Sequence, residues 1–269
     1  MRSKPKSNRS RTERVGRRQE KRDLKRNPSD YSSPLAVMQD YVAKKEIAPF
    51  RALNEAQGQY IASIRQNDIT FSVGPQGTGK SYVAGAYAAD QLKAGLIDQL
   101  IISRPGIQAG KDFGALPGTL EEKYKPYMEP FNDVLEERLG KTYFEYLQRT
   151  GKIIASPLEF MRGKTFKDSI IILDEAQNAT EEQMIMFLTR IGPGSKIIVD
   201  GSLTQCDIRN SGLKDAIKIL PPVLSIGFVE FTLDDIVRHG IIKDILIAYE
   251  NHRVLKLEHQ LKLEHQHDY

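Results

Sequence analysis

The segment Gly74-Pro-Gln-Gly-Thr-Gly-Lys-Ser81 is the feature that most narrows what this chain can fold into. Its spacing, Gly-x4-Gly-Lys-Ser, is the Walker A pattern of a phosphate-binding loop. Such a loop needs a strand before it and a helix after it, because its glycines turn backbone N–H groups inward and the helix N-terminus adds a positive end. The apolar run Ile69–Val73 precedes the segment, and the alanine-rich run Ser81–Gly95 follows it. The sequence therefore predicts a strand–loop–helix unit that binds a nucleoside triphosphate.

Two side chains of this loop have specific expected roles. Lys80 is expected to contact the β- and γ-phosphates as a point charge, and the Ser81 hydroxyl is expected to bind Mg²⁺. The other loop positions that we expect to contact the phosphates are Gly74, Pro75, Gln76, Gly77, Thr78 and Gly79.

An acidic motif follows a second strand-like run. Ser169–Leu173 is apolar and ends in Asp174-Glu175-Ala176-Gln177, a Walker B element. Phosphoryl transfer needs the metal held from a second side, so we expect Asp174 to hold Mg²⁺ directly or through water. Glu175 is expected to orient and deprotonate the attacking water. The carboxylate directly after Asp174 favours hydrolysis over transfer to a small metabolite, because a kinase must exclude water.

Strand-like apolar runs alternate with helix-like stretches along the chain. The strand-like runs are Ile69–Val73, Leu100–Ser103, Lys152–Ala155, Ser169–Leu173, Lys196–Val199 and Gly227–Phe231. The helix-like stretches are Ser81–Gly95, Thr119–Leu139 and Glu181–Arg190, with Thr180 as an N-cap and Gln183 three residues on. This alternation predicts an α/β fold with a mainly parallel sheet and helices on both faces.

Charge is distributed unevenly along the chain. Residues 1–26 carry 12 Lys/Arg and 3 Asp/Glu, although the net charge of the whole chain is only +4. We expect a disordered basic arm at 1–34, a folded domain at 35–253 and a tail with a short repeat at 254–269. The arm is either a solvated extension or a segment that binds the phosphates of RNA or single-stranded DNA. The composition leaves both readings open, since residues 1–26 contain no aromatic for base stacking.

The sequence also indicates the cellular compartment in which we expect the protein. No apolar run approaches the roughly 20 residues that a membrane-spanning helix needs, and the basic N-terminus lacks the apolar stretch of a secretory signal. The single cysteine, Cys206, excludes an intramolecular disulfide and fits a reducing compartment. We therefore expect a cytoplasmic protein with no membrane partner.

An ordered set of short motifs accompanies the two elements above. The set comprises Gln57-Gly-Gln-Tyr60, Ser103-Arg-Pro105, Gly114-Ala-Leu-Pro-Gly118, Met161-Arg-Gly163, Phe187-Leu-Thr-Arg-Ile-Gly192, Thr204-Gln205 and Ile236-Val-Arg-His239. Each motif is weak alone, but the ordered set is specific, and it resembles that of the PhoH family of P-loop ATPases, which are related to superfamily I helicases. The resemblance covers about residues 45–250 and implies a RecA-like core that uses ATP and Mg²⁺.

The resemblance implies roles for three more residues. Gln57 resembles a glutamine that reads adenine, and Gln205 resembles a sensor of the γ-phosphate. Arg238 resembles an arginine finger supplied to a neighbouring subunit, and this resemblance implies a homo-oligomeric ring, a hexamer. The helicase-like relatives imply coupling of hydrolysis to movement on RNA or single-stranded DNA.

One motif departs from the family pattern. The family usually has Gly-Asp-x-Thr-Gln before the sensor, whereas this chain has Ser202 in place of the Asp and a shorter segment after Gln205. How Gln205 is braced is therefore open, and so is a second function, a nucleotide-gated scaffold or binding protein with little turnover. Some relatives carry a fused ribonuclease or RNA-binding domain. We expect neither here, because the flanking segments are short and basic.

Overall fold

The computed structural model describes residues 50–106, 120–203, 205–206, 208, 210–249 and 251–252, with the backbone alone described for 120–127. All of these residues belong to one compact unit, Ile47–Tyr269. The predicted arm at 1–34, the motif at 114–118, Thr204 and the tail at 254–269 lie outside the described residues.

A six-stranded parallel sheet forms the centre of the described residues. Its strands are β1 (Ile69–Val73), β2 (Gln99–Ser103), β3 (Ile153–Ala155), β4 (Ser169–Leu173), β5 (Lys196–Gly201) and β6 (Ile226–Glu230), in the order β3-β2-β4-β5-β1-β6. Each coincides with a predicted strand to within two residues. Parallel strands are covered on both faces, which explains their nearly continuous apolar sequence; every residue of β4 is buried.

Seven α-helices and three short 3-10 helices are found among the described residues, and three of the α-helices were predicted. The α-helices are α1 (Glu55–Gln66), α2 (Lys80–Lys93), α3 (Leu120–Leu139), α4 (Lys141–Arg149), α5 (Glu181–Leu188), α6 (Gly212–Ile219) and α7 (residues 240–249). The predicted ones are α2, α3 and α5, and α5 begins with the expected capping box between Thr180 and Gln183. No helix of the described part of the chain is long and apolar enough to cross a membrane.

The helices cover both faces of the sheet. On one face, Phe71 and Ile171 belong to an apolar cluster that includes Phe187 of α5 and Leu213 of α6. Strand side chains alternate between faces, so the neighbouring Ser72 points to the opposite face, where α1 packs. These features confirm the predicted α/β, RecA-like core with a parallel sheet between two helical layers.

The strand order brings together the residues that follow four strands. β5 lies between β1 and β4, with Val73 opposite Gly201 and Val199 opposite Leu173. β2 lies on the other side of β4, with Ser103 opposite Leu173. Because parallel strands end at the same edge, the residues that come next meet there, where α/β proteins bind ligands. These residues are Gly74, Arg104, Asp174 and Ser202.

Candidate functional site

The phosphate loop depends on glycine at specific positions. Gly77 and Gly79 have φ values of +85° and +87°, in the left-handed region that favours glycine. Gly74 is required for space, because a Cβ there would lie 2.4 Å from the Phe231 carbonyl oxygen. The Gly74 N–H donates to the Gly201 carbonyl oxygen at 3.2 Å. The loop is therefore seated between the ends of β5 and β6.

Lys80 begins α2 and lies within the curve of the loop. Its Nζ donates to the carbonyl oxygens of Gly74 at 2.9 Å and Pro75 at 2.7 Å. Burial lowers the Lys80 pKa, and the negative charges of Asp200, Asp174 and Glu175 oppose that effect. The ammonium is thus placed where the phosphates of a bound nucleotide are expected.

Ser81 and Asp174 form a pair that fits a magnesium ion. The Ser81 Oγ donates to the Asp174 Oδ1 at 3.0 Å. Two neighbouring ligands of an octahedral Mg²⁺, each about 2.1 Å from the ion, are about 3 Å apart. The described residues hold no group of three or more His, Cys, Asp or Glu arranged for a metal. Mg²⁺ sites commonly use one or two protein oxygens together with phosphates and water, and Ser81 and Asp174 supply two such oxygens.

Asp174 is a nearly buried carboxylate, with 8% of its side chain exposed. Burial raises the Asp174 pKa, and the positive charge of Arg104 is the largest opposing influence. The Arg104 Nη2 donates to the Asp174 Oδ2 at 3.0 Å, so each oxygen of this carboxylate has its own partner.

Glu175 is held from two sides. Its backbone is left-handed, with φ 53° and ψ 38°, an uncommon conformation for a residue with a side chain. Its Oε1 accepts from Arg104 Nη2 at 3.2 Å, and its Oε2 accepts from Gln177 Nε2. The Gln177 Oε1 accepts in turn from the Ser202 N–H at 2.9 Å. This last contact uses the backbone of Ser202, so it does not depend on an Asp at that position.

A cleft of about 650 Å³ opens beside the loop, within the range of about 300–1,000 Å³ that is usual for small-molecule sites. It gathers most of the predicted site residues, namely Gln57, Gln76, Gly77, Gly79, Lys80, Ser81, Asp174, Glu175 and Arg238. Gly74, Pro75 and Thr78 lie in the loop but do not line the cleft. Gln205 does not line it either, and its Oε1 is buried without a hydrogen-bond partner among the described residues.

Gln57 links α1 to the phosphate loop. Its Nε2 donates to the Thr78 carbonyl oxygen at 2.9 Å, and its Oε1 accepts from the Leu53 N–H at 2.9 Å. A Cβ at Gly79 would lie 2.7 Å from the same Nε2. Gln57 is therefore at the cleft as predicted, while its role in reading adenine stays a prediction.

Arg238 lies against the phosphate loop of its own chain. The Val237 N–H donates to the Gly77 carbonyl oxygen at 3.0 Å, and a Cβ at Gly77 would lie 3.2 Å from the Arg238 Cδ. Its side chain thus lines the cleft from within the same chain. Donation of Arg238 to a neighbouring subunit stays a prediction.

Two important side chains received no role from the sequence. Arg104 was noted only as part of a motif, yet it contacts both acidic residues of the site. Asp200 lies inside β5, where it accepts from the Tyr60 hydroxyl and from Ser72 Oγ. Burial raises the Asp200 pKa to about 7. The available signals were an Arg directly after β2 and an Asp near the end of β5, directly after Ile197, Ile198 and Val199.

The parallel sheet, the loop before α2 and the acidic end of β4 together define the class of P-loop nucleoside triphosphatases. Residues 49–250 match the family described as PhoH-like protein. The chain belongs to this PhoH family, as its ordered motifs predicted.

Several curated proteins are similar to this chain. A PhoH-like protein of Bacillus subtilis (strain 168) is 43% identical over 203 residues, which cover 74% of this chain and 64% of the relative. Protein PhoH of Escherichia coli (strain K12) is 41% identical over 210 residues, which cover 76% of this chain and 59% of the relative. The chain therefore spans about three fifths of the length of these relatives.

One solved structure, the Pif1 helicase from Candida albicans, matches with a TM-score of 0.35 and 12% sequence identity. The match covers 68% of this chain and 41% of the helicase. A similarity this low does not establish a relationship in function.

Proposed function

We propose that this chain binds ATP with Mg²⁺ and hydrolyses it. The observation that carries the proposal is the Ser81–Asp174 contact of 3.0 Å at the start of α2, with Glu175 directly beside it. A phosphate loop alone accounts for binding. A metal-ligand pair together with an adjacent, oriented carboxylate accounts for hydrolysis.

Each group of residues in the cleft has its own role in the proposed reaction. Lys80 and the loop N–H groups hold the phosphates, and Ser81 and Asp174 hold the metal, which when bound polarises a phosphoryl oxygen as a Lewis acid. Glu175 orients the attacking water and accepts its proton. Arg238, which lies against Gly77 of the loop, adds positive charge that stabilises the charge developing on the transferred phosphoryl group.

The proposal is tested by steady-state ATP hydrolysis and by equilibrium binding of ATP. Lys80→Ala should remove most of the nucleotide affinity. Glu175→Gln should retain affinity and lose turnover. The exposed Glu145 on α4 provides a matched control, since Glu145→Gln changes the same functional group away from the cleft. Hydrolysis by Glu175→Gln at the parent rate would show that the base assignment is wrong.

The assembly and the nucleic acid are part of the same proposal. We propose a homo-oligomeric ring, a hexamer, in which the basic arms at 1–34 act together on RNA or single-stranded DNA. The support for the ring is the resemblance of Arg238 to an arginine finger supplied to a neighbouring subunit. The support for nucleic acid is the local charge of the arm, because several arms in one ring would bind a polyanion by multivalency. ATP hydrolysis measured with RNA, single-stranded DNA and duplex, together with the mass of the assembly in the same sample, tests this part.

A second candidate function is a nucleotide-gated scaffold with little turnover. The feature that favours it is Ser202, which stands where the family usually has an Asp before the predicted γ-phosphate sensor Gln205. Tight ATP binding without hydrolysis, unchanged by RNA, would support the scaffold. Hydrolysis that RNA stimulates and that Glu175→Gln abolishes would support the motor.

A further inference from the structure

Arg104 contacts both acidic residues of the cleft through one guanidinium nitrogen. Its Nη2 lies 3.0 Å from Asp174 Oδ2 and 3.2 Å from Glu175 Oε1. The arginine side chain is 24% exposed, so it forms part of the cleft wall rather than of the apolar core. Adjacent carboxylates repel each other, and Arg104 offsets that repulsion at the point where the two meet.

The two contacts determine which carboxylate oxygens face the rest of the site. On Asp174, Oδ2 is taken by Arg104, and Oδ1 is the oxygen that meets Ser81 Oγ. On Glu175, Oε1 is taken by Arg104 and Oε2 by Gln177. A metal-binding carboxylate is commonly oriented in this way by a hydrogen bond to its other oxygen.

The backbone next to Arg104 is fixed by the sheet. β2 and β4 are hydrogen-bonded neighbours, and the Asp174 N–H donates to the Ser103 carbonyl oxygen at 2.9 Å. A backbone hydrogen bond therefore connects Asp174 with Ser103, the residue directly before Arg104. A side chain anchored this closely can hold its partner in one orientation.

We propose that Arg104 is a positioning residue, which turns Asp174 Oδ1 toward Ser81 and fixes Glu175 beside it. Arg104 thereby sets the affinity of the site for Mg²⁺ and the rate of turnover. The inference rests on the proposed function, since it assumes that Ser81 and Asp174 hold Mg²⁺ with ATP. It concerns a residue to which the motifs assigned no role.

The test uses full-length Arg104→Gln and Arg104→Lys, with Arg149→Gln as the control. Arg149 is an exposed arginine at the end of α4, away from the cleft. The primary measurement is binding of a fluorescent ATP analogue as Mg²⁺ is titrated, compared with binding in EDTA. Electron paramagnetic resonance of Mn²⁺ provides a second measure of the metal, and steady-state ATP hydrolysis gives turnover.

Arg104→Gln should raise the Mg²⁺ concentration for half-saturation by about 10–100-fold, the usual effect of losing a partner of a metal ligand. Nucleotide affinity in EDTA should stay at the parent value, because Arg104 acts through the metal ligand. Arg104→Lys should show a smaller shift, since it keeps the charge without the guanidinium geometry. Arg149→Gln should shift neither quantity.

The inference is overturned if Arg104→Gln has the parent's thermal unfolding temperature and the parent's Mg²⁺ half-saturation. If Arg104→Gln does not fold, Arg104→Lys decides, and a parent-like Mg²⁺ half-saturation in that variant overturns the inference. A parent protein whose nucleotide binding is independent of Mg²⁺ also overturns it. A parent protein that binds ATP with Mg²⁺ but does not hydrolyse it contradicts the proposed hydrolysis, and the Mg²⁺ titration then still decides the role of Arg104.

Discussion

The Tyr60 hydroxyl donates a hydrogen bond to the Asp200 carboxylate, and this contact joins α1 to β5 beneath the phosphate loop. Both residues are almost fully buried. Ser72 Oγ donates to the same carboxylate oxygen at 2.5 Å, while the Asp200 Oδ2 is buried with no hydrogen-bond partner among the described residues. A carboxyl group in this position is more easily accommodated neutral than charged.

Asp200→Asn should change how stability depends on pH. Burial is the main cause of the raised Asp200 pKa, and Asp174 adds to it, while Ser72, Tyr60 and Lys80 oppose it. The folded chain therefore binds this proton more tightly than the unfolded chain, whose Asp has a pKa of about 3.9. The contribution of Asp200 protonation to the free energy of unfolding is therefore complete below about pH 4 and is lost as pH rises through about 7.

The measurement is the free energy of unfolding by urea for both proteins at several pH values between 5 and 7.5. The parent should lose stability relative to Asp200→Asn with a slope of up to about 1.4 kcal/mol per pH unit. Parallel pH profiles for the two proteins would show that Asp200 is already ionised in the folded chain at pH 5.

Gly74→Ala should abolish nucleotide binding or prevent folding. The added Cβ would lie 2.4 Å from the Phe231 carbonyl oxygen and 2.6 Å from the Phe231 Cβ, so the end of β6 would have to move. Gly95→Ala is the matched control, because Gly95 also has a positive φ but has no atom within 4 Å of the added Cβ. It should cost about 1 kcal/mol and leave ATP affinity unchanged. Parent-like ATP affinity in Gly74→Ala would contradict the described seating of the loop.

Gln177→Leu should lower turnover more than it lowers ATP affinity. The substitution removes a hydrogen-bond donor to Glu175 and the hydrogen bond that the Ser202 N–H donates to Gln177 Oε1, which together cost about 1–3 kcal/mol of stability. ATP binding and kcat are measured together with urea unfolding, and the exposed Gln148→Leu on α4 serves as the control. A loss of affinity equal to the loss of kcat would assign Gln177 to nucleotide binding rather than to the orientation of Glu175.

Arg238→Ala separates action within one chain from action across an interface. Because Arg238 lines the cleft of its own chain and is proposed to stabilise charge in the transition state, the variant should hydrolyse ATP at least about tenfold more slowly even in dilute, monomeric protein. The measurement is kcat for ATP hydrolysis over a range of protein concentrations, with assembly mass determined at each. An effect that is present only in the assembled protein would instead support donation to a neighbouring subunit.

The sequence predicted the sheet better than the helices. Strands buried on both faces are apolar throughout, so all six runs stood out, and α5 was marked by its Thr180 cap. α1 was missed because its sequence contains Gly58 and many polar residues, and its stability comes from contacts such as Tyr60 with Asp200.

The residues of the site likewise include some that the sequence predicted and some that it did not. Lys80, Ser81, Asp174 and Glu175 were predicted because their roles depend on local spacing. The contact of Arg104 with Asp174 depends on β2 being the neighbour of β4, and no local pattern contains the order of strands in a sheet. The placement of Arg238 likewise depends on a hydrogen bond between Val237 and Gly77, which are far apart in the chain.

The seating of the phosphate loop has a thermodynamic consequence. Its backbone is fixed by four supports, namely Gly201, Gln57, Val237 and the close approach of Phe231 to Gly74, which come from the end of β5, from α1 and from the segment after β6. The conformational entropy of the loop is therefore lost when the chain folds and not when the nucleotide arrives. Preorganisation of this kind leaves more of the interaction energy to appear as affinity. Mutations that loosen any of these four supports should weaken ATP binding without touching a residue that contacts phosphate.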